Sequence, residues 1–519
     1  YVVPRKVGVE QRRQTMGELL DFQSTIVLAK TTQAAPETRA AIENFIASVQ
    51  WMRRLSETLL ELHCNGHFRF QSYSIDVAFV TPPALIRSEY IRSRELLDEW
   101  GKAVHELRRQ HYFLNFFGMS HLADLLKLLQ AAPGLDTLPA ALLECVNPQA
   151  ARDPDQVAAF LQRLKAAHHA AVRTIVHVQA RDGDLSPVAD GLDGGIGDVQ
   201  TAAANAKADL SACGVALDAA LAPVPAPRRP VDCPTAANFA PGANINVAGT
   251  HVIIGNGSQG VIDQTLSAFC RAGFLPEREN LLVCGPHTQW EEIDNLLLRW
   301  ASAHLFGRSG RLYCLAGLEV LSYELQHKAV VALQDFLRGG SQDAGVKRNP
   351  LLLVSGSSEG QHIVSQYAHC RASYEPLPTE VLQELGDQLS TLYSSGVAVY
   401  TSDLAGAGKS FAIRRAAAAN DAAWVHVPVN GPMTAKMLMD RIEARLAAAL
   451  TSAGLSGRGH KFVLHIDLAD QLTESMDPLL FELAYLGGVA DNSSGSHWFW
   501  DPRLTSVVIE AGTGSAPSN

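Results

Sequence analysis

The sequence predicts an α + α/β protein, in which an N-terminal helical region is followed by α/β units with parallel sheets. Up to about residue 178, apolar residues recur at helical spacing. From about residue 250, short apolar strands alternate with amphipathic helices. After one late strand, a glycine-bearing turn ends in Gly408-Lys409-Ser410, which indicates a phosphate-binding loop in the last unit.

Length and composition describe a globular protein of several domains. The chain has 519 residues, of which 47% are hydrophobic and 18% are charged, and this length allows roughly three domains. The net charge of −10 gives no footprint for nucleic acid or for an anionic membrane surface. No apolar run approaches the roughly 18 residues of a membrane span.

The cysteines indicate a reducing compartment. All eight lie apart along the chain without a CxxC pair, which favours reduced, buried thiols in a cytosolic protein. His63, Cys64 and His67 form a local cluster of metal-type residues, but such a cluster without a second one is more often part of a helix end than a zinc site. The chain starts at Tyr1 without an initiator methionine, so we interpret it as a piece of a longer polypeptide.

Composition divides the chain into four segments. We expect a helical arm over 1–178, a flexible Ala-, Gly- and Pro-rich insertion over 179–249, an α/β unit without a phosphate loop over 250–375, and a truncated P-loop unit over 376–519. Within the last two segments, the predicted strands are 251–254, 280–284, 311–316, 351–355, 397–401, 423–428, 461–467 and 505–510. Because strands alternate with helices, the sheets should be parallel.

The turn after strand 397–401 carries the residues expected to bind ATP. They are Asp403, Gly406, Ala407, Gly408, Lys409 and Ser410. Backbone N–H groups in such a turn converge on phosphate oxygens, the lysine adds a positive charge, and the Ser410 hydroxyl reaches Mg²⁺. Asp403 stands where the motif has its first glycine, and we expect it either to strain the turn or to put a negative charge near the phosphates.

A carboxylate later in the sequence supports the prediction of a phosphate-binding loop. Asp467 ends the apolar strand 461–467, and in P-loop ATPases such an aspartate orients Mg²⁺ at the strand end beside the loop. We therefore predict Ser410 and Asp467 as the groups around the metal. The next residue is Leu468, which cannot activate water, and Asp470 and Glu474 are poor substitutes because they lie elsewhere on the following turn. The sequence thus predicts ATP binding with slow hydrolysis or none, and no catalytic residue.

A second glycine turn matches the dinucleotide spacing G-x-G-x-x-G at Gly255, Gly257 and Gly260. A dinucleotide site also needs an acid at the end of the next strand, to bind the ribose hydroxyls. The next strand, 280–284, ends in Gly285 without one. We therefore do not expect NAD binding at this turn.

Several sequence blocks together point to one family. They are 113–117, 280–292, 310–316, 351–362, 401–410, 464–467 and 479–486, of which Thr-Ser-Asp-Leu-Ala-Gly-Ala-Gly-Lys-Ser at 401–410 is the most specific. In content and order they resemble the mysterin family of giant cytosolic ubiquitin ligases, which are built around a dynein-like string of AAA+ units. The resemblance covers most of the chain outside 180–245.

The resemblance implies a P-loop AAA+-type domain at 376–519 that belongs to a larger ring. In such proteins only some AAA+ units hydrolyse ATP, and a module far downstream transfers ubiquitin from a conjugating enzyme. This chain contains no RING-type cysteine and histidine array, so its implied partners are ATP, the downstream AAA+ units and that module.

Two other interpretations stay open from the sequence. One is a stand-alone P-loop signalling ATPase, which would need its own sensor residues and a C-terminal helical or repeat region. The other is a scaffold whose P-loop is vestigial, as Asp403 and Leu468 would suggest. Sequence beyond residue 519 distinguishes the first alternative, and nucleotide binding distinguishes the second.

Overall fold

The computed structural model describes most of the chain outside its N-terminal segment and several connecting segments. The described residues are 2–3, 12–13, 36–71, 77, 81–130, 135, 138–179, 199–225, 249–254, 260–339, 349–357, 361–371, 377–393, 397–402, 406–431, 433–452, 461–469, 476–491, 496–499 and 504–512. They form two compact bodies. The helical body comprises Tyr1–Leu114, Met119–Leu135 and Arg163–Ala219, and the α/β body comprises Asn115–Gly118, Asp136–Gln162 and Ala220–Asn519.

Long amphipathic helices make up the first part of the chain, after the short antiparallel strands β1 (Val2–Val3) and β2 (Arg12–Arg13). The helices are α1 (Pro36–Cys64), α2 (Pro83–Gln110), α3 (Met119–Leu129), α4 (Leu138–Val146), α5 (Pro148–Ala151), α6 (Pro154–Gln179) and α7 (Val199–Leu221). Helix α2 begins at Pro83, where the missing N–H costs nothing because the first turn has no intrahelical acceptor for it. The predicted helical N-terminal region is confirmed.

Helix α7 corrects the expectation of a flexible insertion over 179–249. Its residues Leu210, Cys213 and Leu217 are fully buried. From the same helix, the Asp218 carboxylate lies 2.8 Å from His111 Nδ1 and accepts a hydrogen bond from the Phe113 N–H. Alanine is the best helix former, so an alanine-rich segment becomes an ordered helix when its other side chains find a core. The rest of the expected insertion, 180–198 and 226–248, lies outside the described residues.

The α/β body continues with alternating strands and helices. They are β3 (Gly249–Ile254), α8 (Val261–Ala272), β4 (Leu281–Val283), α9 (Trp290–Ser302), β5 (Tyr313–Ala316), α10 (Tyr323–Gly339), β6 (Pro350–Ser355), α11 (His362–Gln366), α12 (Thr379–Tyr393), β7 (Val397–Ser402), α13 (Lys409–Ala419), β8 (Ala423–Val429), α14 (Ala435–Ser452), β9 (Phe462–Leu468), α15 (Asp477–Tyr485), β10 (Gly488–Asp491), β11 (Ser496–Phe499) and β12 (Thr505–Gly512). All eight predicted strands are present. The sequence analysis missed the antiparallel pair β10 and β11.

Two four-stranded parallel sheets have the same strand order. The first sheet runs β3-β6-β5-β4 and the second runs β7-β12-β9-β8. In each, the fourth strand along the chain lies between the first and the third. We name the chain around the first sheet (249–371) the first α/β unit, and the chain around the second (397–512) the second α/β unit. The predicted parallel sheets are confirmed.

The sheets differ in burial. Every residue of β5 and β6 is buried, as expected for strands covered on both faces. Strand β7 lies at one end of the second sheet, and most of its residues are exposed, with Val399 at 50%. Among the described residues, β7 therefore has one paired edge and little cover.

Helix α12 places the seam between the units later than predicted. Its residues Val381, Leu385 and Leu389 belong to the hydrophobic core of the first unit. The predicted boundary at 375 put this helix in the P-loop domain. The core also includes Phe481 of α15, so α12 and α15 join the two α/β units within one body.

Buried thiols occur in both bodies, as the cysteine pattern predicted. Burial raises the pKa of Cys213, Cys284 and Cys314, which keeps these thiols protonated at neutral pH. In the described part of the chain, no helix combines the length and apolar character that crossing a bilayer requires.

A core substitution tests whether α7 is an integral part of the fold. We expect Leu217→Ala to lower the free energy of unfolding by about 2–5 kcal/mol, because Leu217 is fully buried and truncation leaves a cavity. The matched control is Val215→Ala on the same helix, where Val215 is 40% exposed. Denaturant unfolding followed by circular dichroism measures both. Equal, wild-type stability of the two variants would contradict a packed α7.

Candidate phosphate-binding site

The predicted loop joins β7 to α13 through a turn that only glycine adopts easily. Gly406 and Gly408 have φ angles of 77° and 82°, in the left-handed region. Gly408 is the N-cap of α13, and no side chain of the described residues caps the first turn. The N–H groups of that turn are therefore available to an anion. Ala407 is exposed in the turn, whereas Asp403 lies outside the described residues and its proposed role stays a prediction.

The carboxylate beside the loop is that of Glu510 on β12. Ser410 Oγ donates a hydrogen bond of 2.7 Å to Glu510 Oε2, and Lys409 Nζ lies 3.8 Å from Glu510 Oε1. Glu510 is only 8% exposed. The two side chains expected to hold phosphate and metal therefore already surround a buried anion.

Asp467 lies on a strand that is not adjacent to the strand of the loop. It is on β9, and β12 separates β9 from β7. Asp467 and Glu510 are register partners on neighbouring parallel strands, so their side chains leave the same face of the sheet. Asp467 Oδ2 lies 3.0 Å from His426 Nε2. The role of Asp467 at the metal stays a prediction.

Leu468 points to the opposite face. It is 4% exposed and packs in the core of the second unit with Leu464 and Ile466. A carboxylate at this position would lie in an apolar core, away from Lys409. Asp470 and Glu474 lie outside the described residues.

An aromatic and histidine cluster backs the two carboxylates. Trp424 Nε1 donates a 3.2 Å hydrogen bond to His465 Nδ1, so the neutral His465 ring carries its proton on Nε2. His465 Nε2 lies 3.0 Å from Glu510 Oε2. Trp424 also stacks on His426 with 5.1 Å between ring centroids, and Arg414 of α13 lies over the Trp424 ring. The cluster connects the helix after the loop to the strands that carry the acids.

Burial lowers the pKa of His465 below its usual range, and the neighbouring His426 lowers it further. The charges of Glu510 and Asp467 act in the opposite direction but do not reverse the shift. His465 is therefore neutral at physiological pH. It contributes a dipole, not a charge, to the side of Glu510 away from Lys409.

The sequence analysis found Lys409, Ser410 and Asp467 but missed Glu510, as well as Trp424, His426 and His465. The signal for Glu510 was available, since it is an acid near the end of an apolar strand, like Asp467. What the sequence could not show is that β12 lies next to β7.

The first α/β unit has a turn at the corresponding position. Lys409 and Ser410 of the second unit correspond to Val261 and Ile262 of the first. Each pair follows the end of its strand, β7 or β3, by the same number of residues. Both side chains pack against the core of the first unit. Residues 255–259 of this turn lie outside the described residues, while Gly260 caps α8 as Gly408 caps α13.

The acids of the second unit also have counterparts in the first. Register links Glu510 to Tyr400 of β7 and to Asp467 of β9. In the first sheet, Val252 of β3 corresponds to Tyr400. Its register partner on β6 is Leu353, the counterpart of Glu510, and the partner of Leu353 on β5 is Leu315, the counterpart of Asp467. All four site positions are thus aliphatic in the first unit: Val261, Ile262, Leu315 and Leu353. At these four described positions, the first unit has none of the charged or hydroxyl groups of the second.

The comparison with protein families matches this first unit. Residues 252–372 match the family model of the RNF213 AAA domain. This part of the chain is therefore similar to an AAA domain of the mysterin type, which agrees with the resemblance seen in the sequence. A comparison with curated proteins finds no match to the chain.

The match and the charged site lie in different units. The matched residues 252–372 end before α12, and the loop at 406–410 follows in the second unit. The second unit repeats the strand order of the matched unit but carries Lys409, Ser410, Asp467 and Glu510. The AAA-type fold and the candidate site are therefore supported by separate observations.

The neutral state of His465 makes a prediction about pH. Because its pKa is lowered on folding, the unfolded chain binds more protons, so stability falls as pH drops through the ordinary histidine range near about 6.5. One such group contributes a slope of at most about 1.4 kcal/mol per pH unit. We expect His465→Gln, whose side-chain oxygen can still accept from Trp424, to lose less stability than wild type between pH 7.5 and 5.5. Parallel losses, measured by denaturant unfolding, would contradict a neutral His465.

Proposed function

We propose that the second α/β unit binds Mg-ATP and hydrolyses it poorly, as a regulatory or structural nucleotide site of an AAA+ protein. The observation that carries the proposal is the placement of Lys409 and Ser410 at the start of α13, with Glu510 and Asp467 on the adjoining sheet face. A lysine, a hydroxyl and two carboxylates are the groups that a phosphate-bound Mg²⁺ requires.

The residues present fit the ligand. Lys409 and Ser410 already contact one anion, the Glu510 carboxylate, which shows that their side chains reach a common point. The uncapped N–H groups after Gly408 are suited to phosphate oxygens. Bound Mg²⁺ would neutralise phosphate charge, with Ser410 Oγ and the carboxylate of Asp467 as its protein-side oxygens.

Poor hydrolysis follows from where the acids lie. Leu468, next to Asp467, is in the core and has no group that takes a proton from water. Glu510 faces Lys409 and Ser410, on the side of the phosphates and metal. A general base contributes about 10²–10⁴-fold to rate, so its lack leaves a bound but persistent nucleotide.

The larger context rests on the resemblance and on the matched AAA unit. We propose that this chain belongs to a cytosolic ubiquitin ligase whose downstream AAA+ units complete the ring. Ubiquitin would come from a conjugating enzyme through a module elsewhere in the protein. Sequence beyond residue 519 tests this, since a stand-alone signalling ATPase would lack both the further AAA+ units and a cysteine- and histidine-rich module.

One observation favours the scaffold as the second candidate. The first unit has the same strand order but aliphatic residues at the four positions compared, so this fold occurs in the chain without polar groups at those positions. If Asp403 prevents binding, the second unit would be a scaffold as well. Nucleotide binding separates the two candidates.

Thermal stabilisation by nucleotide tests binding. After bound nucleotide has been removed, we expect saturating Mg-ATP to stabilise the chain by about 2.7 kcal/mol at roughly a hundredfold excess over Kd. Lys409→Ala should abolish the shift in melting temperature. The matched control is Lys436→Ala, a change to an exposed lysine of α14 that pairs with Asp440. An unchanged melting temperature of the wild type with Mg-ATP would favour the scaffold.

Phosphate release tests hydrolysis. We expect the purified chain to retain ATP and to turn over well below the roughly 1–10³ per second of ordinary enzymes, because Leu468 leaves the attacking water without a base. Bound nucleotide is identified by chromatography of the denatured protein, and phosphate is measured over hours. Rapid release that Lys409→Ala abolishes would show that another acid, such as Asp470 or Glu474, acts as the base.

A further inference from the structure

The Glu510 carboxylate is a nearly buried group that needs partners for its charge. Lys409 and Ser410 are the groups that compensate it, together with the neutral His465 ring. A buried carboxylate is expensive unless it is paired and hydrogen-bonded. The same two side chains are those that would bind phosphate. Glu510 and a nucleotide therefore compete for the same partners.

The first α/β unit shows that the fold itself does not need this acid. Its counterpart there is Leu353, which is fully buried in the first core. The unit with Leu353 also lacks the lysine and the serine, and the unit with Glu510 has both. The acid thus occurs together with the ligand-binding groups, as expected if it serves the ligand and not the sheet.

A divalent cation resolves the competition. Without metal, phosphates drawn to Lys409 would approach the Glu510 carboxylate and repel it. With Mg²⁺ at Ser410 Oγ, the carboxylate faces a positive ion that prefers oxygen ligands. The same acid therefore opposes bare nucleotide and favours the metal complex.

Asp467 is less suited to this task. Its Oδ2 lies against His426, and its strand is one place farther from the loop. Glu510, in contrast, accepts directly from the Ser410 hydroxyl. Asp467 stays the acid proposed above for the metal, and Glu510 adds an in-register carboxylate that also contacts the Ser410 hydroxyl.

We propose that Glu510 is a metal-positioning residue that makes nucleotide binding at Lys409 and Ser410 conditional on Mg²⁺. This inference rests on the proposed function of the site. It adds that Glu510 holds the two side chains when nucleotide is absent and turns its charge to the metal when Mg-ATP is bound.

The test measures ATP affinity of the full chain by calorimetry, once with excess Mg²⁺ and once with EDTA. We expect Glu510→Gln to bind metal-free ATP about tenfold more tightly, because the repelling charge is gone, and Mg-ATP about tenfold more weakly, because a charged oxygen ligand is lost. Opposite changes are the signature, since a purely structural role for Glu510 would shift both affinities in the same direction. The matched control is Glu443→Gln on the exposed face of α14, which should change neither affinity.

Each outcome decides the proposal. A fall of both affinities in Glu510→Gln, or no change in either, overturns it. If circular dichroism shows that Glu510→Gln does not fold, the wild type decides instead. Its Kd for metal-free ATP is compared with its Kd for Mg-ATP, and equal values would exclude nucleotide binding that depends on Mg²⁺. Glu510→Asp, which keeps the charge, should keep the ratio above that of Glu510→Gln. Absence of ATP binding by the wild type with Mg²⁺ contradicts the proposed function itself, which distinguishes that failure from the failure of this inference.

Discussion

The burial of the Glu510 carboxylate against Lys409 and Ser410 is the constraint around which the second α/β unit is arranged. A charge in a sheet interior needs partners from more than one element. Helix α13 supplies two of them, and β9 supplies His465, itself held by the Trp424 indole. The glycine turn before α13 lets the chain leave β7 and bring Lys409 back over β12. Without this compensation the centre of the sheet would have to be apolar, as it is in the first unit.

Local patterns were sufficient to predict the elements. Each of the eight predicted strands is short and largely apolar, and each is present. The loop, the helix after it and the parallel arrangement followed from the same alternation. Helix α7 was misread because alanine and glycine content suggested a linker, whereas its leucines and Cys213 are buried. Whether an alanine-rich segment is ordered depends on a partner surface that its own sequence does not reveal.

The lateral order of the strands was the part of the site that the sequence could not supply. Asp467 and Glu510 both end apolar strands, and nothing in either segment states which one neighbours β7. That order depends on long-range pairing and on the connections between strands. Because β12 lies in the middle, the acid that touches the loop is the later one in sequence. The strand register also identified Leu315 and Leu353 as the counterparts of Asp467 and Glu510 in the first unit. The sequence alone showed only a dinucleotide-like turn there and did not identify these two residues.

The aliphatic positions of the first unit show what a ligand site demands of a fold. Val261, Ile262, Leu315 and Leu353 gain free energy from burial, whereas their counterparts in the second unit are charged or hydroxyl groups that need partners. The inner strands of both sheets are largely buried, and the exposed strand β7 lies at the end of the second sheet. The two units thus have one strand order, with packing groups at these positions in one and polar groups in the other. The aliphatic groups of the first unit need no partner beyond the core, whereas each polar group of the second adds a hydrogen bond or an ion pair that the fold has to supply.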